Sequence, residues 1–268
     1  MKEKIRDEIN HFVAAYQHHK NLSTSWLEPL VAFAAAADPL FAELKNVVVD
    51  SHALPKDLLP DGQTVISFFL PFPKSIAASN IKRDLSSPEW AVTYIETNEL
   101  INRLAEHMQV YLEKFGEKAV AVPATHNWIE DKLVSNWSHR HVAYVAGLGK
   151  FGLNNMLITA KGCSGRLGSL VTTAMIEPDS RPQQEACLYK FDGTCKQCVR
   201  RCVNDALSAN GFDRFRCYAK LLENVEEHKN LGYADVCGKC LAATPCTHTN
   251  PVVHKLRQEK DRGVRCDT

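Results

Sequence analysis

The sequence lacks the marks of a membrane protein and of a polyanion binder. Lysine and arginine total 32 against 31 acidic residues, a net charge of +1. So small an excess argues against binding nucleic acid through gross charge and leaves room only for a local basic patch. The longest apolar run, Leu30 to Ala37, stops at Asp38, far short of the roughly 20 residues a spanning helix needs. The first ten residues mix acids with bases and hold no apolar stretch, unlike a secretory leader. Repeats and low-complexity segments are absent. These absences lead us to expect a cytoplasmic globular protein with no membrane partner. Its 268 residues suffice for one large or two small domains, burying about three quarters of the unfolded surface.

What is there in excess is cysteine. Eight of ten cysteines fall between positions 187 and 246: Cys187, Cys195, Cys198, Cys202, Cys217, Cys237, Cys240 and Cys246. Structural disulfides require an oxidising compartment and are commonest in small chains with little core, and neither applies. Clustered thiols in a reducing compartment point to metal. A zinc ribbon wants two C-x2-C pairs about 15–20 residues apart, whereas Cys195/Cys198 and Cys237/Cys240 are nearly forty apart. Two zinc sites would also use eight thiolates, so zinc stays open on count alone. Bacterial ferredoxins carry C-x2-C-x2-C-x3-C-P, the last cysteine crossing to the other cluster. Cys195, Cys198 and Cys202 repeat the second half of that run, with Asp192 where its first cysteine would stand and Val203 in place of proline. If the crossing rule holds, one [4Fe-4S] cluster takes Cys187, Cys195, Cys198 and Cys246. The other takes Cys202, Cys217, Cys237 and Cys240. Cys163 and Cys266 are left as incidental thiols.

Apolar periodicity predicts a helix over residues 3–20, a buried strand over 64–72 and a long helix carrying Leu100, Ile101, Leu104, Met108 and Leu112. It further predicts a strand over 118–122, a helix over 128–145 and a hairpin over 156–176 turning at 161–165. Beyond about residue 180 the periodicity fades. An α/β domain over 1–180 and a cluster domain over 181–268 are therefore expected.

Residues 146–152 contain G-x-G-x-x-G, but a dinucleotide fingerprint needs a strand before it, a helix after it and an acid about 20 residues on. Here a helix precedes and a strand follows, so the glycines are read as allowing close backbone approach to another loop or a flat ligand. Just upstream, His139, His141 and Tyr144 are candidate proton donors, since a histidine of ordinary pKa suits that work at neutral pH; the plainer reading is that they cap or pack a helix. His52 lies in a partial match to the D-x-H-x-x-G of His-ligated corrinoid proteins, without the glycine. His126 has no assigned role. Lys190, Lys196, Arg200, Arg201, Arg214, Arg216 and Lys220 form a basic group that would attract an acidic electron donor such as flavodoxin or ferredoxin.

The run from His141 to Thr159, with Gly168 to Thr172 and then the eight cysteines, resembles the epoxyqueuosine reductase family, whose wording is A-G-[LI]-G-x-x-G-K-N-T-x-L-I-T before a ferredoxin module. The resemblance spans roughly Val47 to Pro251 and extends to the related reductive dehalogenases. It implies an α+β fold, with an α/β N-terminal domain of cobalamin-reductase or nitroreductase type and a ferredoxin-like domain holding two [4Fe-4S] clusters. It also implies a base-off cobalamin lined by Gly147, Gly149, Gly152 and Asn154. Electrons would pass through the clusters to the cobalt and on to a small-molecule substrate or, alternatively, to a partner corrinoid protein. Two departures stand out: Leu153 replaces a lysine, and the family's catalytic aspartate would fall near Leu133. Asp131 is two residues off, which on a helix turns the side chain by about 200°. The tRNA-binding helical repeats that often follow are missing, so the reaction is expected to differ.

Overall fold

The structure, a computed structural model, describes residues 1–18, 22–123 and 128–263; His126 and Cys266 lie outside them. Helix α1 (Lys2–Tyr16) buries Ile5, Ile9 and Val13, one face of a 3.6-residue repeat. Strand β1 (Leu30–Ala35) leads through α2 (Leu40–Val47) and α3 (Pro55–Leu58) to β2 (Thr64–Pro71), whose eight residues are all buried. After α4 (Lys74–Ser79), Ser87 caps the long helix α5 (Pro88–Glu113) by accepting from the Trp90 N–H. Leu100, Ile101, Leu104, Met108 and Leu112 of α5 are all buried, as their spacing predicts.

Strand β3 (Ala119–Ala121) follows. The next segment departs from the expected helix: Trp128–Ile129 and Val134–Ser135 pair as a small antiparallel hairpin, β4 and β5, and the helix α6 covers only His139–Val145. Leu133 at the hairpin tip has φ +50°, a backbone that ends helical propagation. The sequence signal was short β-prone segments, Trp-Ile and Val-Ser, flanking a polar turn. Strands β6 (Gly149–Phe151), β7 (Leu157–Thr159) and β8 (Gly165–Thr172) come next. A turn does lie at 160–164, but β7 pairs back onto β6, while β8 runs between β2 and β3 in the main sheet. The expected hairpin therefore parts into two sheets.

The main sheet has the order β1-β2-β8-β3 and every pairing is antiparallel. This makes the fold α+β; the parallel layering implied by an α/β N-terminal domain is not present. Beyond the sheet come α7 (Leu188–Asp192), α8 (Gln197–Arg200), α9 (Arg214–Glu227) and α10 (Pro251–Gly263), joined by irregular chain. Ala186, Cys187 and Leu241 pack into the same apolar core as Ile5, Phe68 and Leu100. The cysteine-bearing part is thus continuous with the sheet's core. No described helix is long and apolar enough to cross a membrane.

Candidate metal centre

The eight cysteines fall into two groups in space. Cys187, Cys195, Cys198 and Cys246 line a single cavity with about 320 Å³ of empty space, part of it open to solvent. Cys187 sits at the start of α7 and Cys198 within α8. Cys246 arrives from nearly fifty residues downstream in sequence. The left-handed Gly193 (φ +76°) ends α7 and turns the chain towards Cys195.

The electrostatic surroundings of three of these thiols largely follow the same partition. Burial, and then Cys246, Cys187 and Cys195, push Cys198 up to about 11. Burial, followed by Cys237 and Cys202, pushes Cys217 up to about 11. Cys240 is raised by burial, then by Cys237, Cys217 and Cys202, and last by Cys198 of the first group. Thiols crowded this closely stay protonated until a cation compensates them, and metal binding reverses that balance by drawing off the protons. Among the described residues no three His, Cys, Asp or Glu groups converge tightly enough for a single metal ion. Four thiolates around a shared space fit the donor set of a [4Fe-4S] cubane.

Two fixed cations accompany the second group. Lys239, between Cys237 and Cys240, is 1% exposed, and its ammonium donates to the carbonyls of Asn80 and Lys82 at 3.1 and 2.8 Å. Arg140 of α6 faces Cys217 and Cys240 and donates to the Asn155 carbonyl at 2.9 Å. Near it lies Arg166, stacked 4.2 Å over the ring of Tyr94, whose hydroxyl bonds Asp235. Neither Lys239 nor the two arginines was singled out from sequence. Lys239 was visible inside C-G-K-C; Arg140 becomes a neighbour of the thiols only through folding, and Arg166 a neighbour of Arg140.

The glycine loop is packed closely against its own chain. A Cβ on Gly147 (φ +90°) would lie 2.9 Å from the Ser180 carbonyl, and one on Gly149 only 2.2 Å from the Ile158 carbonyl. Protein backbone therefore packs against the side of each glycine where a side chain would stand, which is the close approach to another loop that the glycines were read as allowing. Gly152 and Asn154 instead line the cavity of Cys187, Cys195, Cys198 and Cys246.

The candidate proton donors are engaged. His139 Nδ1 meets Ser169 Oγ at 2.8 Å and its Nε2 meets the Pro123 carbonyl at 3.3 Å. The Ser169 oxygen also accepts from the Trp137 indole at 3.0 Å, so the network has the serine hydroxyl donating to a neutral His139. His141 Nδ1 meets Ser138 Oγ at 2.8 Å, and its ring packs against Phe151, as does Tyr144. Burial holds both histidines near 4, which removes the ordinary-pKa argument for them as protonated acids. His52 is fully buried, with Nδ1 donating to the Ala53 carbonyl and Nε2 accepting from the Ser138 N–H. Neither nitrogen is left for cobalt.

Leu133 and Asp131 lie on the β4–β5 turn, so the helical-phase argument against Asp131 falls away. The hairpin is tied to α9 by Arg214, which donates to the Lys132 carbonyl at 3.1 Å, and by Trp128 against Tyr218. Of the basic group, Arg201 donates inward to the carbonyls of Lys239 and Ile81, and Lys220 pairs with Glu223. Lys190, Lys196 and Arg200 are exposed beside the first cysteine group. Cys163 is no incidental thiol: it is buried with its sulfur 3.9 Å from that of Cys246.

No protein-family model matches the sequence, and no curated protein matches it. Solved structures do. Epoxyqueuosine reductase from Bacillus subtilis is 16% identical, with a TM-score of 0.58 over 91% of this chain and 66% of that one. The chain shares the epoxyqueuosine reductase fold. An epoxyqueuosine reductase bound to an epoxyqueuosine-modified tRNA-Tyr stem loop gives 17% identity and a TM-score of 0.59 over the same shares. A catabolic reductive dehalogenase in complex with 3-bromo-4-hydroxybenzoic acid gives 18% and 0.58, covering 84% of this chain and 30% of that one. The chain thus spans just under two thirds of the epoxyqueuosine reductases' length and under a third of the dehalogenase's. These are the two groups that the sequence resembles.

Proposed function

We propose that this protein is a cytoplasmic iron–sulfur oxidoreductase, with Cys187, Cys195, Cys198 and Cys246 holding one [4Fe-4S] cluster and Cys202, Cys217, Cys237 and Cys240 a second. The observation that carries the reading is the cavity shared by Cys246 with three cysteines some fifty residues upstream. A zinc ribbon would keep neighbouring C-x2-C pairs together; the crossing of a distant cysteine is the ferredoxin habit. In this reading an acidic donor docks on Lys190, Lys196 and Arg200, and electrons pass from the first cluster to the second.

Beside the second group Arg140, with Arg166 behind it, offers fixed positive charge where an electron would leave. The acceptor, by the shared fold, is a base-off cobalamin serving a small organic substrate. When bound, such a cofactor supplies a cobalt centre that accepts single electrons and delivers them to carbon. The protein backbone packed against the Cβ side of Gly147 and Gly149 supports a second reading, in which the corrinoid belongs to a partner protein and this chain is its reductase. With a net charge of +1, a tRNA substrate is not part of either reading.

Anaerobic purification with iron, sulfide, zinc and cobalt analysis tests the proposal. Iron and sulfide in equal amounts support it, and stoichiometric zinc without iron rejects it. Cobalamin retained at one per chain supports the bound form. A cluster-loaded protein that ignores cobalamin yet reduces a corrinoid protein supports the second.

A further inference from the structure

Cys163 and Cys246 are 83 residues apart in sequence and 3.9 Å apart at their sulfurs. The contact is built, because the turn before β8 is clamped to the Cys246 segment. The Cys163 N–H donates to the Cys246 and Thr247 carbonyls at 2.9 and 3.2 Å, and the Ser164 N–H donates to Thr247 at 2.9 Å. A side chain at Gly162 would strike the Thr247 carbonyl at 2.4 Å, so glycine permits the clamp.

Cys246 lines the cavity with Cys187, Cys195 and Cys198, and Cys163 does not. The Cys163 thiol therefore meets the group through its contact with Cys246 and not as one of the residues lining the shared space. Thr244 Oγ1 approaches the same sulfur at 3.3 Å. The Leu241 carbonyl that competes for its proton already takes the Thr247 hydroxyl at 2.6 Å, leaving a 3.2 Å contact to Thr244. Two neutral donors thus face one ligand sulfur.

We infer that Cys163 is a positioning residue: with Thr244 it hydrogen-bonds the Cys246 thiolate and raises the reduction potential of the cluster held by Cys187, Cys195, Cys198 and Cys246. The physical reason is that reduction adds negative charge, part of it on the ligand sulfurs, and a donor to such a sulfur stabilises the reduced form more than the oxidised one. The inference rests on the two-cluster reading proposed above.

The test uses the full chain, purified anaerobically, with iron and sulfide analysis and an EPR-monitored redox titration. Cys163→Ala and Thr244→Val should each keep the wild-type iron content and move one midpoint potential negative, leaving the other in place. The double variant should move it further, and Cys163→Ser, which keeps a donor, should move it less than Cys163→Ala. An unmoved potential in Cys163→Ala with iron intact overturns the inference. So does loss of one cluster in Cys163→Ala alongside its retention in Cys246→Ser, since Cys163 would then be the ligand. Wild-type protein without iron fails the two-cluster reading itself, and the metal analysis alone identifies that failure.

Discussion

Asn154 donates to the Cys240 carbonyl at 3.4 Å while lining the cavity of the other four cysteines. One side chain of the glycine loop therefore bridges the two thiol groups. The same residue accepts from the Met156 N–H at 3.2 Å, which fixes its amide against the loop that carries it. The loop therefore touches both thiol groups.

Replacing Cys198 with serine removes a thiolate that lines the cavity of the first group. Iron per chain should fall by about half, as one of two equal cubanes is lost. Far-UV circular dichroism should stay that of the wild type. Unchanged iron would reject Cys198 as a ligand.

Gly149→Val separates packing from cofactor binding. The new side chain meets the Ile158 backbone across the β6–β7 pair, where neither strand can yield. Urea unfolding should report a loss of about 3 kcal/mol. Wild-type stability would refute this packing role.

Acid should weaken the fold through His139 and His141. Burial lowers both to about 4 from 6.5, so between those values the unfolded chain binds protons that the folded chain refuses. Their contribution is complete above pH 6.5 and is lost progressively as the pH falls towards 4. Denaturant titrations at pH 7 and pH 5 should show His141→Asn losing less stability than the wild type over that step. Equal losses would refute the prediction.

Donor docking is testable by charge reversal at Lys190, Lys196 and Arg200. The triple glutamate variant should slow reduction by an acidic flavodoxin about tenfold at low salt. The difference should vanish near 1 M salt, where the screening length falls to about 3 Å. A salt-independent defect would mean that the substitutions disturb the fold.

Much of this was legible because ligand spacing is local. Cys195, Cys198 and Cys202 announce a cubane-type run within eight residues, and the crossing rule brought in Cys246 from a distance. The buried stripe of α5 and the all-buried β2 followed from periodicity alone. The β4–β5 hairpin did not, because two-residue strands carry too little pattern to outweigh a helical reading. Arg140 and Cys163 were missed for a shared reason: each acquires its meaning from a neighbour that only tertiary folding supplies, whereas Lys239 stood in plain view inside C-G-K-C and only its burial was hidden. The glycine loop was legible only in part, because glycine marks a close approach without saying what approaches: at Gly147 and Gly149 protein backbone does so on the Cβ side.

The clamp between the 160–164 turn and the Thr247 backbone bears on how the protein matures. Cys187, Cys195 and Cys198 come together within a dozen residues and could gather iron as a partly ligated nucleus soon after synthesis. Their fourth partner is held in register by a turn of the front half, so completing that cube waits on the earlier-made portion having reached its final shape. Cofactor loading would then act as a proofreading step, sealing only those molecules whose two halves have already docked.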